Sequence, residues 1–243
     1  MMDDFDLPIS EIVQADYRTA DVFKKYLLNY CCGGQISLKS ACDNRAIDYE
    51  SLIKDLKEST RNNKLSGYLL YHEWKIDFLI DFITNIHHSY IYQVLPTLAT
   101  DLKSFSMSHR KKYPHLEWVA DLLDKLSSLL TLHNRHEDEI IFPYIKQIDS
   151  AFRRKEAYGN LFVRTLRKPL DIIEREHIQI QVFLNSLFTM TNHFTIPDKA
   201  CTSFHVLYHK LEEFYDNLIQ HKFLEHNILF PKAIAIEHQL LLL

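Results

Sequence analysis

One pattern occurs twice in this chain. His133-Asn-Arg-His-Glu137-Asp-Glu-Ile-Ile-Phe-Pro143 returns as His221-Lys-Phe-Leu-Glu225-His-Asn-Ile-Leu-Phe-Pro231, so both copies read H-x-x-x-E-x-x-I-[IL]-F-P. On a helix, side chains four residues apart lie one above the other on the same face. Each copy therefore aims an imidazole and a carboxylate at one spot. A single H-x-x-x-E is weak evidence, because most such pairs are surface contacts. Two copies with the same apolar tail are stronger. Buried and unpaired, a His and a Glu would each cost several kcal/mol, and a metal ion removes that cost. Two such helices facing each other surround a shared centre, the arrangement that holds a pair of metal ions in a four-helix bundle.

The rest of the chain supports a bundle. Leu207, Leu211, Phe214, Leu218, His221, Glu225 and Ile228 recur at three- and four-residue steps, which is helical periodicity with the metal candidates on the apolar stripe. Leu170, Ile173, His177, Ile180, Leu184 and Leu187 do the same. Four long helices are expected: Leu69 to Ser106 with a kink at Pro96, Pro114 to Ile148, Pro169 to before Asn192, and Asp198 to Glu237. No stretch alternates convincingly as a strand. The first 60 residues read as a small helical module, with Ser37 as an N-cap. The polar stretch from Ser59 to Gly67 carries turn formers, which sets the expected domains at residues 1–62 and 63–243. The expected class is all-α, a small helical domain followed by an up-down bundle.

Further ligands should come from the other two bundle helices. His177 lies on the inward stripe of the third. Glu176 points about 100° away and is a candidate to orient a ligand. On the first helix His87 and His88 are adjacent, so only one can face the centre, and spacing alone leaves the choice open. His109 is about 30 Å further along the same helix, too far to share a centre with His88. Imidazoles and carboxylates without thiolate suit iron, with manganese or a mixed centre as alternatives, and argue against structural zinc.

Bulk properties narrow the field. A formal charge of -4 gives no electrostatic reason to expect nucleic acid. No apolar run approaches the roughly 20 residues that span a bilayer, and no signal-like stretch opens the chain. The 4 Cys, with Cys31 and Cys32 adjacent and Cys42 and Cys201 scattered, form no secreted disulfide framework, so the expected location is the cytoplasm. Adjacent Cα atoms about 3.8 Å apart are too close for an ordinary disulfide. Cys31 and Cys32 are therefore read as thiols that meet a metal, nitric oxide or another protein, with Lys24 and Lys25 nearby to favour thiolate. Cys42 and Cys201 are read as packing residues. Gly33 and Gly34 follow the pair directly, half of the 4 Gly in the chain, which points to a tight turn or a close approach.

With these motifs together, the chain resembles the bacterial iron-sulfur cluster repair di-iron proteins, in which a small domain with a C-C-G-G motif precedes a hemerythrin-like domain. The match runs from Ile9-Ser-Glu-Ile-Val and Tyr30-Cys-Cys-Gly-Gly through Ser37-Leu-Lys-Ser-Ala-Cys, Arg175-Glu176-His177 and both H-x-x-x-E blocks. In that family the first-helix His stands seven residues before a Leu-Pro, so Leu95-Pro96 selects His88. The resemblance implies two non-haem iron ions bridged by Glu137, Glu225 and an oxo group, with His88, His133, His177 and His221 as terminal ligands. It also implies cytoplasmic, often dimeric proteins that respond to nitrosative and oxidative stress. They restore damaged iron-sulfur clusters by supplying iron, with Cys31 or Cys32 as reactive or transfer thiols. The partners implied are damaged or apo iron-sulfur proteins, with nitric oxide or oxygen as small ligands. The same ligands would serve a di-iron nitric oxide reductase or a gas sensor, so the chain is not assigned to the enzymes. Oxygen-carrying hemerythrins place a second His one turn after the third-helix ligand. Here that residue is Gln181, which together with the CCGG domain favours reaction or release over gas storage.

Overall fold

The computed structural model describes residues 7–30, 34–60, 69–155 and 167–240. These residues are helical, and among them the sole β-type pairing is an isolated bridge between Pro8 and Ser37. The chain divides into two compact units. One comprises Met1–Gly67 and Phe194–Glu212, the other Tyr68–His193 and Glu213–Leu243.

In the first unit, α1 (Ile9–Ala15), α2 (Thr19–Lys25), α3 (Leu38–Arg45) and α4 (Tyr49–Ser59) enclose a small core. Ser37 caps α3 by accepting from the Ser40 N–H at 3.3 Å, as its sequence position suggests, and Asp48 caps α4 through the Ser51 N–H at 3.0 Å. Ile9, Ile12, Phe23, Leu38, Leu52 and Leu56 pack together with Val206. Gly34 is fixed by close approach: a Cβ there would stand 2.5 Å from the Tyr30 carbonyl oxygen. Its own carbonyl accepts from the Ser10 N–H at 2.9 Å, and that of Ile36 accepts from the Ile9 N–H at 3.1 Å. These bonds satisfy amides at the start of α1 that the helix itself leaves unpaired. Cys31 and Cys32 lie outside the described residues.

The second unit has four helical arms, three of them interrupted by a π-helical turn. The first is α5 (Ile76–Phe82), a π-turn at Ile83–His88 and α6 (Ser89–His109). The second is α7 (His115–His136), a π-turn at Glu137–Ile141 and α8 (Phe142–Arg154). The third is α9 (Arg167–Met190). The fourth is the latter part of α10 (Thr202–Leu224), a π-turn at Glu225–Leu229 and α11 (Phe230–Leu240). The first arm begins later than Leu69, because Tyr71 and Trp74 fold into an aromatic cluster with Phe78 and Phe82 instead. Pro96 sits inside α6 on its exposed side and the helix runs through it. Ile76, Ile80, Ile83, Ile145, Ile148, Ile173, Leu224, Leu229 and Phe230 belong to one buried core. No helix among the described residues is long and apolar enough to cross a membrane.

Candidate metal centre

The arms bring His88, His133, Glu137, His177, His221 and Glu225 to one buried place. Their donor atoms form two groups, His88, Glu137, His221 and Glu225, and His133, Glu137, His177 and Glu225, each within 4.8 Å mutually. Both glutamates belong to both groups. Glu225 splits its carboxylate between them: Oε1 is 2.7 Å from His221 Nε2 and Oε2 is 3.2 Å from His177 Nε2. Glu137 Oε2 lies 3.4 Å from His88 Nε2 and 3.5 Å from His133 Nε2. Within each group the imidazoles also meet: His88 and His221 approach at 3.0 Å between Nε2 atoms, and His133 and His177 at 3.2 Å.

This crowding is chemically informative. His221 Nε2 cannot at once accept a proton from His88 and donate one to Glu225. Both Glu137 oxygens and Glu225 Oε2 are buried without a hydrogen-bond partner among the described residues, a cost natural interiors rarely carry. Donor atoms on neighbouring corners of an octahedral ion with bonds of about 2.1 Å stand about 3.0 Å apart. The observed spacings match that edge, and a cation would satisfy every lone pair that converges here. The residues present therefore fit a metal.

The proton balance points the same way. Burial lifts the Glu137 carboxyl well above its usual range, and the neighbouring Glu225 charge adds to it. Burial alone would raise Glu225 too, but His221 and the contacts from His177 and His88 outweigh it and hold this carboxyl low. Burial likewise lowers His133, and lowers His221 to about 4, leaving both as neutral imidazoles. His88 is the exception: against the cost of burial, Asp138, Glu137 and Glu225 push it up to about 12.

Polar neighbours aim the imidazoles. His88 Nδ1 lies 2.8 Å from Asp138 Oδ1, and His133 Nδ1 lies 2.8 Å from Glu176 Oε2. A carboxylate accepts only, so Nδ1 carries a proton in both rings; the neutral His133 then presents its Nε2 lone pair to the centre, and His88 would do so once its second proton has left. Glu176, beside His177 in sequence, thus fixes the imidazole of His133. Asp138 does the same for His88, unanticipated from sequence, although it follows Glu137 directly. The Phe of the repeated frame also acquires a purpose. Phe142 stacks on His88 with centroids 5.6 Å apart, and Phe230 stacks on His177 at 6.2 Å. Each copy of the motif therefore supplies a His, a Glu and the ring that covers an imidazole from another arm. The π-turns were not visible in the periodicity. Two of them begin at the motif glutamates, and the third contains both His87 and His88. Such turns are frequent at functional sites.

A family model described as the hemerythrin HHE cation binding domain matches residues 83–233. The chain belongs to this hemerythrin family. All six clustered residues fall within its hemerythrin domain. A second model, a domain of unknown function (DUF542), matches residues 6–60. Similar proteins named "Iron-sulfur cluster repair protein YtfE" occur in Citrobacter koseri, Escherichia coli and Shigella boydii. Each is 29% identical over 235 residues, covering 96% of this chain and 98% of the relative. The resemblance drawn from the CCGG and H-x-x-x-E motifs thus agrees with both family models and with these relatives. Gln181, one turn after His177 on the hemerythrin third arm, stands apart from both donor groups. It donates to Asn185 Oδ1 at 2.8 Å and accepts from the Lys222 ammonium.

Proposed function

We propose that this protein holds two non-haem iron ions between its shared glutamates. In this reading it helps repair iron-sulfur clusters damaged by nitrosative or oxidative stress by donating that iron. The observation that carries the reading is the pair of donor groups with Glu137 and Glu225 common to both. The names of relatives that align over nearly their whole length support the repair role. Iron bound by such a set would supply open coordination positions and exchangeable bonds.

The side chains do the rest. His88 and His221 would hold one ion and His133 and His177 the other, with both glutamates shared between them. Asp138 and Glu176 hold the imidazoles in the binding tautomer. Gln181 withholds a further nitrogen from the third arm, which keeps coordination incomplete. Residues 1–62 would serve as the docking or transfer domain, with Cys31 or Cys32 receiving iron or a nitrosylated species. Apo or damaged iron-sulfur proteins of the cytoplasm would be the recipients.

The test is transfer from anaerobically loaded protein to an apo-cluster acceptor with sulfide and a thiol reductant, an iron chelator competing. Acceptor recovery should track loss of the di-iron absorption and fail when Cys31 and Cys32 are replaced. An intact absorption beside a dead acceptor would overturn donation. The paired donor groups also suit two small molecules bound side by side. Catalytic nitrous oxide formation from nitric oxide with an electron donor would move the reading to a reductase.

A further inference from the structure

His87 is not among the clustered donors, yet it is built like one of them. Its side chain is fully buried, 1% exposed, within the same π-turn as His88. Nδ1 lies 3.3 Å from Asn217 Oδ1. A carbonyl oxygen accepts only, so Nδ1 carries the proton and Nε2 keeps its lone pair. That nitrogen has no hydrogen-bond partner among the described residues. One ring nitrogen is tied to an oxygen, as Asp138 ties His88 and Glu176 ties His133; their Nε2 atoms meet other imidazoles of the cluster, whereas that of His87 is bare.

Its placement is equally specific. The His87 ring lies nearly parallel to that of His221, with centroids 5.7 Å apart and planes at 12°. His88 meets the same His221 ring at 4.8 Å. Two consecutive imidazoles of the first arm therefore flank one imidazole of the fourth. Phe82 closes the other side of His87 edge-on at 5.5 Å. Asn217, which holds His87, stands one helical turn before His221 on the fourth arm, in line with Glu225. As packing alone, a buried, unpaired ring nitrogen carries a desolvation cost that a Phe would avoid.

We propose that His87 is a fifth imidazole of the centre, an exchange ligand for the ion that His88 and His221 hold. With an ion bound there, His87 Nε2 would offer a donor in place of His88 Nε2, one bond made for the one broken. No electron moves, and His221 remains beside both. This inference rests on the iron-holding reading above and gives release a first step.

The test compares wild type, His87→Phe, His88→Ala and the double variant, each loaded anaerobically with ferrous iron. Iron content and the rate of loss to a chelator are read, with circular dichroism as the folding control. His88→Ala should keep most of the second ion and the double variant should lose it. His87→Phe, which keeps an aromatic ring but removes both nitrogens, should load fully but surrender iron several-fold more slowly. Equal loss from His88→Ala and the double variant, with wild-type release from His87→Phe, would overturn the proposal. If His88→Ala does not fold, the release rate of His87→Phe decides alone. Wild type that loads no iron would instead sink the iron-holding reading.

Discussion

At the scale of single residues, the centre is a set of lone pairs with too few protons, and its supports should be measurable separately from its ligands. Asp138 touches no ion in this arrangement; it fixes His88 from 2.8 Å. Asp138→Asn should lower cation affinity about 10- to 100-fold while the apo protein melts near the wild-type temperature. Metal titration followed by absorption would check this, and unchanged affinity would remove Asp138 from the support of the site. Two groups hold protons where a metal needs lone pairs. Glu137 is raised by burial and by Glu225. His88, despite burial, is raised to about 12 by Asp138, Glu137 and Glu225. For His88 the folded pKa lies above the ordinary 6.5. Its contribution to apo stability is therefore complete below that value and fades as pH climbs toward about 12. A cation must displace both protons, so loading should release protons and affinity should rise with pH. Calorimetry in buffers of different ionisation enthalpy reads this directly; heats independent of buffer would contradict it. The clustering of the six donors was legible in the sequence because four-residue spacing and the apolar stripe report direction. Asp138 was not, because its role depends on where the first arm passes, which is a long-range fact.

At the scale of elements, long helices were legible from periodicity and their interruptions were not. A π-turn inserts a residue without changing composition, so the apolar stripe resumes after it and the sequence shows no seam. Pro96 is a visible interruption in the sequence, and α6 continues through it with the ring on the exposed side. Its missing N–H still costs helical stability. Pro96→Ala should therefore stabilise the protein by about 1–3 kcal/mol in urea unfolding, without altering iron content. Loss of stability would show that the proline relieves a strain elsewhere. Gly34 carries the opposite sign. Its Cβ position is occupied by the Tyr30 carbonyl, 2.5 Å away. Gly34→Ala should destabilise the first unit by about 1–3 kcal/mol, read by denaturation, while iron loading stays intact. A neutral substitution would mean the turn can open without cost. The doublet Gly33-Gly34 drew attention in the sequence for this kind of reason, but the partner, a backbone carbonyl four residues earlier, has no signature of its own.

At the scale of the whole molecule, the least legible feature is the make-up of the first unit. Turn formers at Ser59 to Gly67 suggest a clean division of the chain. By contacts, however, Phe194–Glu212 belongs with Met1–Gly67, and Val206 is buried in the core of α1 to α4. Such pairing across most of the chain length leaves no local trace, because Val206 reads as one more apolar residue on a long helix. Gln14 Nε2 donating to Thr202 Oγ1 at 3.3 Å and the Lys210–Asp21 ion pair at 2.5 Å belong to the same assembly. Fragment 63–243 should therefore bind a hydrophobic dye and self-associate, and added fragment 1–62 should suppress both. A monomeric, dye-silent fragment would show that residues 194–212 are content alone. The chain thus resembles a clasp more than beads on a string: its last quarter must be made before its first quarter can finish folding. A ribosome would release α1 to α4 long before these helices have their full complement of partners.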